Sequence, residues 1–253
     1  MELAIDLKGR NVLLTGGSRG IGAATVRALH KAGARVLFTY LSDKAAAQAL
    51  CRELGDRVTF VQCDMAASES LPGLMADCVA RLGTLDVLVN NAAIFSLNAF
   101  DGPDYETWME GWHRTFAVNL FGPADLTFLA LREMRRQRRG KIINIASRSA
   151  HRGELSFPDY GASKAALVNL TKSLARSCAK DGIVSIAIAP GFIETDMASE
   201  DLRTRRAEVE SEIPSRRIGT PEEVASIVAF FACDLGNYAN GAVIDVNGGS
   251  YVR

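Results

Sequence analysis

A tyrosine and a lysine four residues apart, Tyr160 and Lys164, are the side chains of this chain best placed to do chemistry, and Ser147 stands thirteen positions before the tyrosine. At 3.6 residues per turn, positions four apart share one helix face. An ammonium held beside a phenol favours the phenolate, lowering a pKa that is ordinarily about 10. Such a phenol becomes an acid/base usable near neutral pH. The spacing alone recurs by chance on solvated helices, so its meaning depends on its company.

The elements that must position this pair alternate along the chain. Short β-branched, apolar runs read as buried strands: Asn11–Thr15, Arg35–Thr39, Val58–Gln62, Leu85–Asn90, Lys141–Ala146, Val184–Ala189 and Ala242–Val246. Amphipathic segments lie between them, including Ala23–Ala32, Lys44–Leu54, Leu71–Leu82 and Ser163–Lys180. Strand–helix alternation implies right-handed crossovers and a parallel sheet covered on both faces. No linker, repeat or low-complexity tract interrupts it, so one domain over 1–253 is expected. Two stretches fit the alternation poorly. Ala92 to Asp104 carries Phe95 and Phe100, with Tyr105, Trp108 and Trp112 close behind, and Gly191 to Pro221 is polar and charged, with a helical pattern around Asp201–Ser211. Both follow strand ends, where α/β sheets place ligands, so they are expected to form the walls and lid of a pocket, the lid over 191–221. For Trp108 and Trp112, core packing is an equal reading.

Directly after the first strand comes Gly16-Gly17-Ser18-Arg19-Gly20-Ile21-Gly22, then a helical pattern. Glycines at 16, 20 and 22 permit a tight turn, close backbone approach to a ligand and close helix–strand packing. Backbone N–H groups at a helix start attract phosphate, so the turn is a candidate nucleotide site.

Composition sets limits on the alternatives. The 253 residues carry 29 basic and 29 acidic side chains, and this balance argues against a nucleic-acid binder. The basic run Arg132 to Lys141 reads as a solvated helix end leading into a strand. Five scattered cysteines (Cys51, Cys63, Cys78, Cys178, Cys233) suggest neither a disulfide framework nor a zinc site, and no metal is expected. No secretion signal or membrane span is read, so a reduced cytoplasmic compartment is expected.

The glycine pattern T-G-x-x-x-G-x-G resembles that of the short-chain dehydrogenase/reductase family, and the resemblance runs almost end to end. Asp64 resembles the family's adenine-contacting acid, and Asn90-Asn91-Ala92-Ala93 its N-N-A-G. Asn119, Ser147, Tyr160 and Lys164 match its catalytic tetrad. Pro190-Gly191-Phe192-Ile193-Glu194-Thr195-Asp196-Met197 is similar to its P-G motif, and Asp245-Val246-Asn247-Gly248-Gly249 to its last strand. The resemblance implies a Rossmann-type, doubly wound α/β fold with about seven parallel strands and helices on both faces. It implies that Tyr160 exchanges the proton while the nicotinamide exchanges hydride, that Ser147 orients the substrate oxygen, and that Asn119 holds a water for Lys164. Cofactor contacts are implied at Gly16, Ser18, Arg19, Gly20, Ile21, Gly22, Asp64, Met65, Asn90, Ala92, Tyr160, Lys164, Pro190, Gly191, Ile193 and Thr195. Ala93 departs from the family glycine, and its Cβ fits if φ stays negative. The segment from Asn90 to Asn119 is several residues longer than in simple bacterial members.

The second strand ends Phe38-Thr39-Tyr40-Leu41-Ser42, with no carboxylate before Asp43, and Ser42 and Asp43 read as the start of the next helix. Arg19 is placed to meet a 2′-phosphate, so NADP(H) is preferred, with NAD(H) not excluded. The stretches Gly191–Met197 and Ile213–Glu223 resemble bacterial 3-oxoacyl-carrier-protein reductases, which makes an acyl thioester on a carrier the leading substrate. Arg138 and Arg139 are expected near the pocket mouth, where an acidic carrier would dock. Against this, Asp181 stands where a basic residue would serve docking. The charged loop after Ser147, with Arg148, His151, Arg152 and Glu154, suits a polar or anionic small carbonyl compound. The alternatives are a reductase of a small polar ketone, sugar or polyol, and a non-catalytic NADP(H) sensor. The family usually forms tetramers, which implies that Ala117–Gln137, Ser163–Lys180 and the end Gly248–Arg253 meet partner subunits.

Overall fold

Seven parallel strands form one sheet in the order β3-β2-β1-β4-β5-β6-β7. The computed structural model describes residues 4–102, 104–195 and 199–252, with side chains described except at 199–204. Asp196 and Met197 of the P-G stretch, and Arg253 at the chain end, lie outside the described residues. The strands are β1 (Asn11–Leu14), β2 (Arg35–Tyr40), β3 (Val58–Gln62), β4 (Val87–Asn90), β5 (Gly140–Ile145), β6 (Ile183–Pro190) and β7 (Val243–Val246).

The strands read as continuous apolar runs because both faces are buried. Val12, Leu14, Val36, Phe38 and Ile143 face one layer, while Leu13, Leu37, Leu88 and Ile142 face the other. The first layer packs on α1 (Gly20–Lys31), α2 (Lys44–Leu54) and α8 (Pro221–Ala232). The second packs on α3 (Leu71–Leu82), α5 (Gly122–Gln137) and α6 (Pro158–Cys178). This is the doubly wound arrangement expected. Chain order reverses between β1 and β4, and at such a switch point the strand ends diverge to leave a crevice.

Helix ends follow local chemistry. Asp43 caps α2, its carboxylate accepting from Ala46 N at 2.8 Å, and α8 opens with a Thr220–Glu223 capping box ahead of Pro221. Asp104 caps α4 (Tyr105–Phe116) through Thr107 N at 2.8 Å. A π-turn over Ala117–Phe121 joins α4 to α5, so the helix expected to begin at Ala117 is the second half of a longer one. Helix α7 (Ser199–Glu212) kinks at Arg205, where φ is −125° and ψ is 17°.

The poorly fitting stretches divide in their roles. The connection after β4 supplies Phe95 as a cavity wall, but Trp108 and Trp112 do not reach the cavity. They belong to a row of rings running Phe100, Trp108, Trp112, Phe116, Phe121, half-buried in the middle and exposed at both ends. Spacing four apart along α4 aligns the two tryptophans, and packing claims them. The five cysteines are free. Among the described residues no helix is long and apolar enough to cross a membrane, and no cluster could hold a metal ion.

Candidate active site

A cavity of about 600 Å³ opens at the carboxyl ends of the strands. Its floor is the glycine turn. Gly16 has φ +69°, and a Cβ there would stand 3.0 Å from Ala92 Cα; a Cβ on Gly22 would overlap the Gly16 carbonyl. These positions are glycine because backbone from β1, α1 and the end of β4 converges on them. Thr15 and Asn91 stitch that convergence together. Thr15 Oγ1 accepts from Asn91 N and Ala92 N, each at 3.0 Å, and Asn91 Nδ2 donates to the carbonyls of Thr15 and Gly16, each at 2.9 Å. Arg19 precedes α1, and no side chain caps the helix start, so its first N–H groups open on the cavity. A cradle that a Cβ would fill, closed by an uncapped helix N-terminus, fits a dinucleotide pyrophosphate.

Every residue singled out from the sequence as a site lines this cavity except Asn90 and Asn119. Asn90 is the last strand residue, and the pleat turns its side chain into the core, where Nδ2 donates to Asn144 Oδ1 at 2.8 Å and Thr127 Oγ1 at 3.1 Å. Its neighbour Asn91 takes the place at the turn. Asn119, in the π-turn, is fully buried: Oδ1 accepts from Ile94 N at 2.8 Å, and Nδ2 donates to Ile94 O at 3.0 Å and Ser163 Oγ at 3.2 Å. Ser163 in turn donates to the Tyr160 carbonyl at 2.8 Å. The Asn119 side chain is therefore a clamp between the β4 connection and α6, fully occupied by protein partners. Ala93 lines the cavity with φ outside the positive range, as its Cβ requires.

Ser147 follows the end of β5, and its Oγ accepts from Ser149 N at 3.1 Å, which fixes the hydroxyl. Tyr160 and Lys164 lie on α6, one turn apart. Lys164 is 2 % exposed, donates to Ile145 O at 2.8 Å, and stands 5.6 Å from the Tyr160 ring centre. The helix that carries them is anchored by Asp159, a buried carboxylate accepting from Thr115 Oγ1 at 2.6 Å and Asn98 Nδ2 at 3.2 Å. Phe95 meets Tyr160 edge-on at 4.9 Å and stacks on Phe157 at 3.9 Å. Phe157 carried no recognisable signal beyond standing before Pro158.

Protonation differs from the expectation. Burial pushes the Tyr160 phenol up to about 12, and the Ser147 hydrogen bond pulls it back only in part. Burial also drives Lys164 down to about 7. Desolvation disfavours the charged form of each group, so burial works against the lowering of the phenol expected from the lysine. At neutral pH the phenol is protonated.

Two other expectations meet the geometry differently. Arg138 and Arg139 stand at the amino end of β5, separated from Ser147 by the whole strand, about 20 Å long at roughly 3.3 Å per residue. Arg138 terminates α5 with φ +50°, Arg139 pairs with Asp86 at 2.5 Å, and neither lines the cavity of its own chain. Arg148 is 7 % exposed and does line it, with its guanidinium carbon 4.2 Å from the centre of the Phe192 ring.

A parallel, doubly wound sheet with a glycine-turn cradle and a Ser-Tyr-Lys cluster at its carboxyl end defines an oxidoreductase that uses a nicotinamide cofactor. The chain belongs to the short-chain dehydrogenase/reductase family: residues 16–251 match the family model described as "Enoyl-(Acyl carrier protein) reductase". It is 36 % identical to the 3-oxoacyl-(acyl-carrier-protein) reductase of Aquifex aeolicus (strain VF5), over 98 % of this chain and 100 % of that one. The corresponding reductase of Escherichia coli (strain K12) is 35 % identical over the same shares. Among solved structures, a protein titled short-chain dehydrogenase/reductase and glucose/ribitol dehydrogenase from Brucella melitensis superposes with a TM-score of 0.91 at 32 % identity, covering 99 % of this chain and 100 % of that one. A putative gluconate dehydrogenase from Agrobacterium tumefaciens superposes with a TM-score of 0.92 at 29 % identity, covering all of both chains. These relatives carry the names of reductases and dehydrogenases, and the chain is an oxidoreductase of their family.

Proposed function

We propose that this chain reduces a ketone to a secondary alcohol, or runs the reverse, with NADP(H), and that Tyr160 donates or accepts the proton. The observation that carries the reading is the meeting of Ser147, Tyr160 and Lys164 in one cavity with the glycine turn. Gly16, Ser18 and Gly20 to Gly22 would hold the pyrophosphate, Asp64 and Met65 the adenine, and Ala92, Pro190, Gly191, Ile193 and Thr195 the nicotinamide half. Arg19 is solvent-exposed, with no ion pair or hydrogen bond from its guanidinium among the described residues, which suits a 2′-phosphate. Asp43 lines the same region, but its carboxylate is committed to capping α2.

The nicotinamide supplies or takes the hydride. Ser147, its hydroxyl oriented by Ser149 N, hydrogen-bonds the substrate oxygen. The Tyr160 phenol, protonated at neutral pH, carries the proton that the oxygen of a carbonyl being reduced would take. Lys164, fixed by Ile145 O, bears on the phenol and on the cofactor ribose. NADPH consumption, followed at its absorbance over a panel of ketones and acyl thioesters, tests the reading. Tight NADPH binding with no turnover on any member would make the chain a sensor instead.

The full-length match to 3-oxoacyl-(acyl-carrier-protein) reductases favours a 3-oxoacyl thioester as substrate. The charged cavity wall of Arg148, Arg152 and Glu154 favours a small polar ketone, sugar or polyol, in keeping with the titles of the structural relatives. The reading extends to a homotetramer in the cytoplasm. Phe121 and Phe128, seven positions apart on one helical run, are 56 % and 64 % exposed, an apolar face suited to a second copy. Light scattering that returned a monomer would count against the assembly.

A further inference from the structure

We propose that Arg148 grips a carboxylate of the substrate beside the carbonyl held by Ser147 and Tyr160, so that the substrates include short oxo or hydroxy acids. The inference rests on the oxidoreductase reading of the same cavity and specifies its substrate class.

Five charged residues among those described are buried: Asp86, Lys141, Arg148, Asp159 and Lys164. Four have protein partners. Asp86 accepts from Asn11 N and pairs with Arg139, Lys141 donates to Cys233 O and Asn237 Oδ1, Asp159 accepts from Thr115, and Lys164 donates to Ile145 O. Arg148 is the exception: its guanidinium makes no hydrogen bond or ion pair with any described residue. Its N–H donors open on the reaction cavity with no protein partner, and a guanidinium largely shielded from bulk water gains from an anion brought to it there.

The neighbouring carboxylates do not fill the role. Glu154 and Glu212 act on Arg148 only at longer range, and burial outweighs them, lowering its affinity for the proton. Glu154 is already committed, accepting from Ser149 Oγ at 2.6 Å and lying 3.7 Å from Arg152. Arg205, on the facing helix, is bonded to Glu208 at 2.9 and 2.7 Å. The Phe192 ring, 4.2 Å away, meanwhile holds the guanidinium in place. A guanidinium so stacked is a pre-oriented fork, the geometry that carboxylates take in bidentate pairs. Because Arg148 directly follows Ser147 and both line the cavity, the anion and the reacting oxygen belong to one small molecule. A purely structural Arg148, clamping Phe192, would instead support all substrates alike.

The test compares acetoacetate and 4-oxopentanoate with their methyl esters, using NADPH and the full chain. The readout is the ratio of kcat/KM on each acid to that on its ester. Arg148→Met is expected to lower this ratio roughly ten- to hundredfold, the range of a lost charge-assisted pair. Arg148→Lys, which keeps the charge but not the fork, is expected to recover part of it. If the ratio is the same in wild type and Arg148→Met while turnover continues, the anion site falls and the reductase reading stands. Calorimetric titration of acetoacetate into the NADP-loaded protein separates the remaining case. Arg148-dependent binding of the acid without turnover of it would keep the anion site, and the reductase reading would fall with it only if the ketone and thioester panel also gave no turnover. Neither binding nor turnover on acid or ester would overturn the anion site, and the reductase reading would then rest on the ketone and thioester panel alone.

Discussion

At the amino end of the sheet, Asp86 is 2 % exposed yet fully engaged, accepting from Asn11 N at 2.9 Å and pairing with Arg139 at 2.5 Å and Arg10 at 3.7 Å. Lys141 beside it meets a carbonyl, an amide oxygen and, at 3.7 Å, Asp234. At the carboxyl end, Lys164 has a single carbonyl and Arg148 only the face of a phenylalanine. Both ends bury cations, but only one end neutralises them. A buried charge with its partners in place is architecture. A buried charge without them costs stability, which a fold retains where a ligand can complete the set.

This contrast can be broken from either side. The largest effect is expected at the carboxyl end: Tyr160→Phe should lower kcat by about 10²–10⁴-fold with NADPH affinity and thermal midpoint unchanged. A mutant that kept most of its turnover would remove Tyr160 from the chemistry. At the amino end, Asp86→Ala should destabilise the fold by about 3 kcal/mol in denaturant titration, leaving Arg139 and Asn11 N unpaired, while kcat of the folded fraction holds. If activity fell instead and stability did not, the two ends would not differ as described.

Arg19→Ala should raise the KM for NADPH roughly ten- to hundredfold and leave that for NADH nearly unchanged, as loss of a guanidinium–phosphate contact requires. Equal effects on the two cofactors would sink the 2′-phosphate assignment. The smallest effect concerns pH. Lys164 is held near 7 in the fold, against about 10.5 unfolded, so the unfolded chain binds the extra proton between these values and stability rises with pH across that window. Its slope is at most about 1.4 kcal/mol per pH unit. Above pH about 10 the Tyr160 phenol, held up to about 12, keeps a proton that the unfolded chain loses, and the trend reverses. Lys164→Met should abolish the rise, and unfolding free energies of both proteins from pH 6 to 10 measure it.

Much of the architecture was readable in advance, and the reasons are local. Lys44–Leu54 and Leu71–Leu82 begin and end where the pattern placed them, because Asp43 caps one and a glycine follows each. The glycine turn was readable because only glycine fits where three backbones converge. Asn91 was passed over for Asn90, since choosing between adjacent residues requires knowing which way the pleat faces. The Asn119 side chain, expected to hold a water for Lys164, is bonded to Ile94 and Ser163 away from the cavity lining, and only the folded neighbours reveal that. Arg138 and Arg139 looked like a docking patch because a strand's length separates them from Ser147 in space but only a few residues do in sequence.

By itself, the sequence determined the alternation of strands and helices, the glycine turn and the spacing of Ser147, Tyr160 and Lys164, all properties set by short-range geometry. The tertiary structure decided which charges were left without partners. That depends on residues far apart in the chain, such as Phe192 under Arg148 and Ile145 against Lys164, and on how much water the closed sheet excludes from each. Desolvation is a property of the whole fold, so the directions in which burial pushes Tyr160 and Lys164 could be read only there.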